Sequence, residues 1–181
     1  RAERCVQLRR RRAELLRAAG LEFDVHPVDV DERVRPGEAP IDYVRRLASE
    51  KSASAAVAVD DIVLGADTAV VIDGEILGKP ADDRDAANML RRLSGRRHDV
   101  MTGVSVRTGA NQLSRVETTL VEFAGLTDDD VAWYVGSGEG RDKAGAYAIQ
   151  GLASRFIPRI EGSYSNVVGL PLERLGPLLA R

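Results

Sequence analysis

The stretch IVLGADTAVVIDGEILGKP, Ile62 to Pro80, decides how the rest of the chain is read. Ile62, Val63 and Leu64 lead in and Ala69 to Ile72 lead out, and most of these residues favour a strand. Successive side chains of a strand point to opposite faces. Val63, Gly65, Asp67, Ala69 and Val71 therefore share one face, and Leu64, Ala66, Thr68, Val70 and Ile72 the other. Neither face is polar, so the strand is predicted to be covered on both sides. An ionised Asp67 inside it is costly unless it is paired or bound to a metal. The plain reading is an aspartate capping a turn at a strand end. The functional one is a metal ligand or general base at the mouth of a cleft. Asp73-Gly74 predicts a hairpin turn, after which the chain returns and carries Lys79, between Gly78 and Pro80, back beside Asp67.

The chain has 181 residues, 44 % of them hydrophobic, which suits one globular domain over residues 1–181 with a core that needs no staples. Charged residues make up 30 % but the net charge is −2, so no overall field favours nucleic acid or an anionic membrane. The single cysteine, Cys5, cannot form an internal disulfide and fits a reducing compartment. No apolar run approaches the roughly 20 residues of a membrane helix. The basic N-terminus lacks a signal peptide's apolar stretch. The expectation is a soluble cytoplasmic protein that engages neither membrane nor nucleic acid.

Working outward, RRAELLRAAG predicts a short helix stopped by Gly20, and LEFDVHPV a brief strand. The loop DVDERVRPGEAP leads into a helix over Ile41 to about Val57. A second amphipathic helix is predicted over Asp83 to Leu93. Two long strands, HDVMTGVSVRT and SRVETTLVEFAG, are joined by the turn GANQ. Thr127 reads as the N-cap of the next helix, with acidic residues in its first turn, and a closing helix is predicted near Leu172–Leu179. Strands and helices interleave, but strict βαβ alternation is missing. This predicts an α/β fold around a mixed sheet.

Four further features are candidates for chemistry. Lys51 falls on the apolar stripe of its helix, one turn after Leu47 and two after Val44. A lysine there either snorkels to solvent or finds an anionic partner such as a phosphate. Asp31 and Glu32 are either solvated loop acids or, with Asp67, carboxylates for Mg²⁺. Arg9 to Arg12 form the one dense basic cluster. With only 4 % aromatics and no second basic stripe, a phosphate-binding role suits it better than nucleic acid. Gly138 to Gly151 is glycine-rich, and a buried Gln150 beside Tyr147 could read the edge of a nucleobase. His26, His98 and Trp133 read as packing or surface residues.

Taken together, YVRRLASEK, VLGADTAV, GEILGKP, MLRRLSGRRHDVMTGV, SGEGRDKAGAYAIQG and IEGSYSNVVGLPL resemble the Maf family of nucleoside triphosphate pyrophosphatases, over nearly the whole chain. The resemblance implies an elongated mixed β-sheet flanked by helices, with a cleft between two lobes, similar to inosine-triphosphate pyrophosphatases. It implies hydrolysis of a nucleoside triphosphate to monophosphate and pyrophosphate, a divalent cation (Mg²⁺ or Mn²⁺) as cofactor, and a homodimer. It makes Asp67 the proton acceptor and a metal ligand with Glu32, and it makes Arg11, Arg12, Lys51 and Lys79 phosphate-binding residues. GADT with AYAIQG is similar to the dTTP/UTP-preferring branch, with Arg11, Thr68 and Gln150 as specificity positions.

The resemblance fails at the start. Where the family has an apolar strand running into LASxSPRR, this chain has RAERCVQLRRRR, with Gln7 and Arg9 at the serine positions and Arg10 at the proline. The expected apolar first strand is missing, and with it the serines that would contact phosphate. Three readings follow, in this order: an active pyrophosphatase, a nucleotide-binding regulatory protein with impaired turnover, and a nucleic-acid-binding protein that uses Arg9 to Arg12.

Overall fold

A computed structural model describes residues 4–7, 10–56 and 58–179. Its centre is β3, Ile62–Ile72, the strand anticipated above, which alternates its side chains between two covered faces. Asp73 and Gly74 both adopt left-handed backbone, φ 53° and 76°, as a tight hairpin turn requires, and the chain returns as β4, Glu75–Leu77. The long hairpin β5, Arg97–Thr108, and β6, Asn111–Glu122, lies antiparallel on the other side of β3. β7, Arg159–Glu161, closes that edge.

The first strand forms in spite of its sequence. β1, Arg4–Gln7, pairs in parallel with β3 and with the two-residue β2, Asp24–Val25. Ladder hydrogen bonds use backbone groups, so loss of the expected apolar pattern does not remove the strand. Arg9 lies outside the described residues. The sheet order is β2-β1-β3-β5-β6-β7, with β4 also paired to β3, which is the mixed α/β sheet expected. The strand predicted over LEFDVHPV shrinks to two exposed residues, since Pro27 offers no N–H to continue a ladder.

α1, Arg10–Ala18, is followed by Gly20 at φ 77°. α2, Pro40–Ser54, starts with proline in its first turn, where no N–H is missed, and ends three residues short of the predicted limit. It lies directly on the sheet. A Cβ on Gly103 would stand 2.1 Å from the Val44 carbonyl oxygen, and one on Gly65 would stand 2.4 Å from that of Ala48. Only glycine permits that approach. α3, Asp83–Leu93, and α4, Asp128–Ser137, fall as predicted, and Thr127 with Asp130 forms a capping box at the start of α4.

The face opposite α2 is covered by two separate clusters. Leu16 of α1 packs with Leu64, Ala66, Val104, Leu170 and Leu175, which belongs to α6, Leu172–Leu179. Further along, Val70, Ile72, Leu90, Phe123, Tyr134 and Phe156 form the other cluster, with α3 and α4 above them. Gly169 and Leu170 follow the short helix α5, Tyr164–Val168. Thr68 lies between the two clusters, where a cleft opens.

Candidate active site

The cleft exists because one edge of β3 is left open for a short distance. β1 pairs with β3 only as far as Gln7 opposite Gly65, and β4 joins only from Leu77 opposite Val70. Among the described residues, Ala66 to Ala69 has a strand partner only in β5. Side chains from both faces of the strand reach this gap, Asp67 from the side of α2 and Thr68 from the side of α1. The gap lies beyond the carboxyl end of β1, the place where open α/β sheets bind ligands.

Arg12 closes the unpaired edge. Its Nη1 donates to the Ala66 carbonyl at 2.9 Å, Nη2 to Thr68 Oγ1 at 2.8 Å and Nε to the Gly169 carbonyl at 2.6 Å. Thr68 Oγ1 in turn lies 2.9 Å from Thr102 Oγ1. One guanidinium thus ties α1, β3 and the segment after α5 together.

On the other face, Lys51 is 6 % exposed and Asp67 9 %. Lys51 Nζ donates to Asp67 Oδ1 at 2.6 Å and to Glu32 Oε1 at 2.8 Å. The lysine on the apolar stripe therefore has protein carboxylates for partners, which offsets the burial of Asp67. Glu32 is held in place because Tyr43 donates its hydroxyl to the Glu32 carbonyl, and Arg46 bonds the Arg33 carbonyl and Glu38. Burial, with the charges of Asp67 and Glu32 adding to it, pushes the Tyr43 hydroxyl up to about 12, so it stays a donor. Asp31 separates from its neighbour: its carboxylate is committed to Arg33, whose hydrogen bonds hold it below the ordinary carboxylate range.

Asp67 and Glu32 thus converge on the Lys51 ammonium, which brings two carboxylates close together. Among the described residues no group of three or more His, Cys, Asp or Glu could hold a metal. Two converging carboxylates still fit Mg²⁺ or Mn²⁺, because such ions complete their shells with water and phosphate oxygens.

The cavity, of about 460 Å³, is lined by both charged and apolar side chains. Arg11, Arg12, Glu32, Asp67, Lys79 and Lys143 are among the first, and Val70, Val100, Tyr147, Ala148, Ile149 and Val167 among the second. That volume falls within the range of small-molecule sites, roughly 300–1,000 Å³. Of the residues singled out from sequence, Arg11, Arg12, Glu32, Asp67, Thr68 and Lys79 line this one cavity, and Lys51 lies beneath it. Gln150 corrects the expectation: it is exposed, not buried, and is not among the lining residues. The chain turns there, so the neighbouring Ala148 and Ile149 face inward and Gln150 faces out. Tyr43, Asp142, Lys143 and Tyr147 were not anticipated as site residues. Gly145 was the available signal for the loop segment, since its φ of 68° fixes a bend that turns these neighbours toward the cavity.

Residues 10–181 match the family described as Maf-like protein. The chain belongs to the Maf family. The match begins at Arg10, near the end of the divergent N-terminal segment. Among curated relatives, the dTTP/UTP pyrophosphatase of Anaeromyxobacter dehalogenans (strain 2CP-C) is 55 % identical over 175 residues, 94 % of this chain and 89 % of the relative. Those of Symbiobacterium thermophilum and Hahella chejuensis are 50 % and 52 % identical, covering 94 % and 90 % of this chain and 89 % and 83 % of theirs. A solved nucleoside-triphosphatase (dITP/XTP pyrophosphatase) from Mycobacterium abscessus is similar at a TM-score of 0.45 and 13 % identity, covering 98 % of this chain and 93 % of that one. That distant likeness adds nothing to what the sequence relatives establish.

Proposed function

We propose that this Maf protein hydrolyses dTTP and UTP to the monophosphate and pyrophosphate, with residues 1–181 acting as one domain. The observation that carries this reading is the mixed lining of the cavity. It combines a buried carboxylate and several cations with apolar side chains, as a triphosphate joined to a base requires. The named activity of relatives at 50–55 % identity supports the same substrates. For that reason the regulatory, turnover-impaired alternative is not favoured.

In this reading the base and sugar lie against Tyr147, Ala148 and Ile149, and the phosphates run toward Lys79 and Arg11. Asp67 accepts a proton from the water that attacks the α-phosphorus. Lys51 supplies the counter-charge that keeps Asp67 in place. Arg12 holds Thr68 and the β3 edge at the position where Arg11 and Thr68 discriminate among substrates. Asp67 and Glu32 would hold the divalent cation, which when bound neutralises phosphate charge. The homodimer and the cytoplasmic setting belong to the same proposal.

Purified protein incubated with dTTP, UTP, CTP, GTP or 7-methyl-GTP and Mg²⁺ tests it. Pyrophosphate is expected from dTTP and UTP, and its release is expected to stop in EDTA and return with Mg²⁺ or Mn²⁺. Release of orthophosphate instead, or no release from folded protein, would overturn the reading.

A further inference from the structure

Several of the cavity's cations already hold bonds within the protein. Lys51 is bonded to two carboxylates, and three of the five Arg12 N–H groups go to Gly169, Ala66 and Thr68. A triphosphate, with its several charges, calls for further partners. Lys79 lines the cavity and makes no ion pair among the described residues. A second lysine, Lys143, is brought to the same rim from a distant part of the sequence. The Gly145 N–H donates to the Gly78 carbonyl at 3.1 Å, tying the segment of Lys143 to that of Lys79.

That placement is specified by the backbone. Gly145 and Ala146 both have positive φ, 68° and 60°, in a 3₁₀ turn over Ala144–Ala146. A Cβ on Gly145 would come within 2.9 Å of the Val70 side chain, so the turn is pressed against β3. Non-glycine residues pay for left-handed backbone, so Ala146 in that region marks a held bend. The Lys143 side chain is 22 % exposed and its ion-pair partner is Asp142, 74 % exposed. Asp142 lines the same cavity. The hydrogen bond from Lys143 holds its carboxyl below the ordinary range against a smaller desolvation penalty, and the charge of Arg11 adds to the effect.

Resting on the pyrophosphatase reading above, we propose that Lys143 is a second phosphate-binding lysine, which grips the leaving pyrophosphate together with Lys79. We propose further that Asp142 moderates that grip. The Asp142 side of this ion pair is open to solvent, which weakens it, so phosphate oxygens displace the carboxylate readily. Charge-assisted bonds to phosphate are stronger. When Asp142 regains the ammonium, product release is favoured.

Calorimetric titration of inorganic pyrophosphate with Mg²⁺ tests this on the wild type and on Lys143→Gln, Lys143→Arg and Asp142→Asn, with UTP kinetics alongside. Lys143→Gln is expected to weaken pyrophosphate binding about tenfold and to raise the KM for UTP similarly. Lys143→Arg should recover most of the affinity, and Asp142→Asn should tighten binding by about threefold. Thermal unfolding of each variant separates these effects from misfolding. If the wild type turns over UTP yet Lys143→Gln binds pyrophosphate as tightly, the lysine's role is overturned and the activity stands. If neither dTTP nor UTP is hydrolysed but Lys143→Gln still loses pyrophosphate affinity, the phosphate site stands and the substrate reading falls.

Discussion

The Lys51 ammonium stands 2.6 Å from the Asp67 carboxylate, and the two side chains are only 8 % and 13 % exposed. Lys51 has a second partner in Glu32, but Asp67 depends on the lysine for its counter-charge. Removing the lysine costs far more than the pair contributes, because the remaining carboxylate charge stays in a poorly solvated site.

Lys51→Met therefore leaves Asp67 and Glu32 facing each other without their shared cation. We expect a loss of roughly 3 kcal/mol in chemical denaturation. Added Mg²⁺ should restore part of it, since a divalent cation can take the vacated position between the carboxylates. An unchanged denaturation midpoint would show that solvent reaches these carboxylates well enough to make the lysine dispensable.

Asp67→Asn makes the opposite separation. Glu32 remains to pair Lys51, so the fold is expected to persist, with unfolding within about 1 kcal/mol of wild type. Turnover of UTP should fall by at least about 100-fold, because an amide cannot accept the proton of the attacking water. Retained activity would remove Asp67 from that role.

Gly103 tests how α2 brings Lys51 to Asp67. A methyl group there would lie 2.1 Å from the Val44 carbonyl oxygen, a backbone atom that cannot rotate aside. Gly103→Ala should force α2 away from β5, destabilise the protein by roughly 2–3 kcal/mol and reduce activity with it, by moving Lys51. Wild-type stability and kinetics together would show that α2 can shift at no cost.

β3 was legible from sequence to the residue, because alternation within an apolar run and the Asp73-Gly74 turn are both local signals. Asp67 was legible for the same reason, as a charge in a run that leaves no polar face. Gln150 was not. Whether a side chain in an irregular, glycine-rich segment faces in or out depends on φ at Gly145 and on the bond from Gly145 to Gly78, both set by tertiary contact. The partner of Lys51 was half legible. Its place on the apolar stripe demanded an anion, but only the fold supplies Asp67 and Glu32 in place of a phosphate. The gap between β1 and β4 was beyond any local pattern, since it depends on where two strands stop along a third.

His98 gives a pH prediction. Its ring lies among Phe123 and Tyr147, Nε2 is 2.7 Å from the Tyr147 hydroxyl, and Nδ1 is buried without a partner. Burial pulls its pKa from 6.5 down to about 4. The unfolded chain thus binds this proton more readily than the folded one. The stability is fully present above pH 6.5 and is lost as pH falls toward 4, by roughly 3 kcal/mol across that window. His98→Gln, which can still bond Tyr147, should flatten the pH dependence of denaturation between pH 6.5 and 4. An unaltered slope would assign the acid sensitivity to other groups.

Arg12 decides between two uses of one guanidinium. The family resemblance makes it a phosphate ligand, yet its Nε, Nη1 and Nη2 bond Gly169, Ala66 and Thr68. If its work is to clamp the open edge of β3, Arg12→Lys keeps the charge but cannot reproduce a planar fork that reaches three acceptors at once. Two of the three bonds should then be lost, costing roughly 2 kcal/mol of stability at about 1 kcal/mol each. Activity should fall because Thr68 and the segment at Gly169 are no longer held at the cleft. Pyrophosphate affinity should change little, since the lysine retains the positive charge. Urea denaturation and pyrophosphate titration of the same variant separate the two uses. A wild-type midpoint with lost pyrophosphate affinity would return Arg12 to the phosphate-binding set and leave the edge of β3 to be held by Thr68, Thr102 and the backbone of β5.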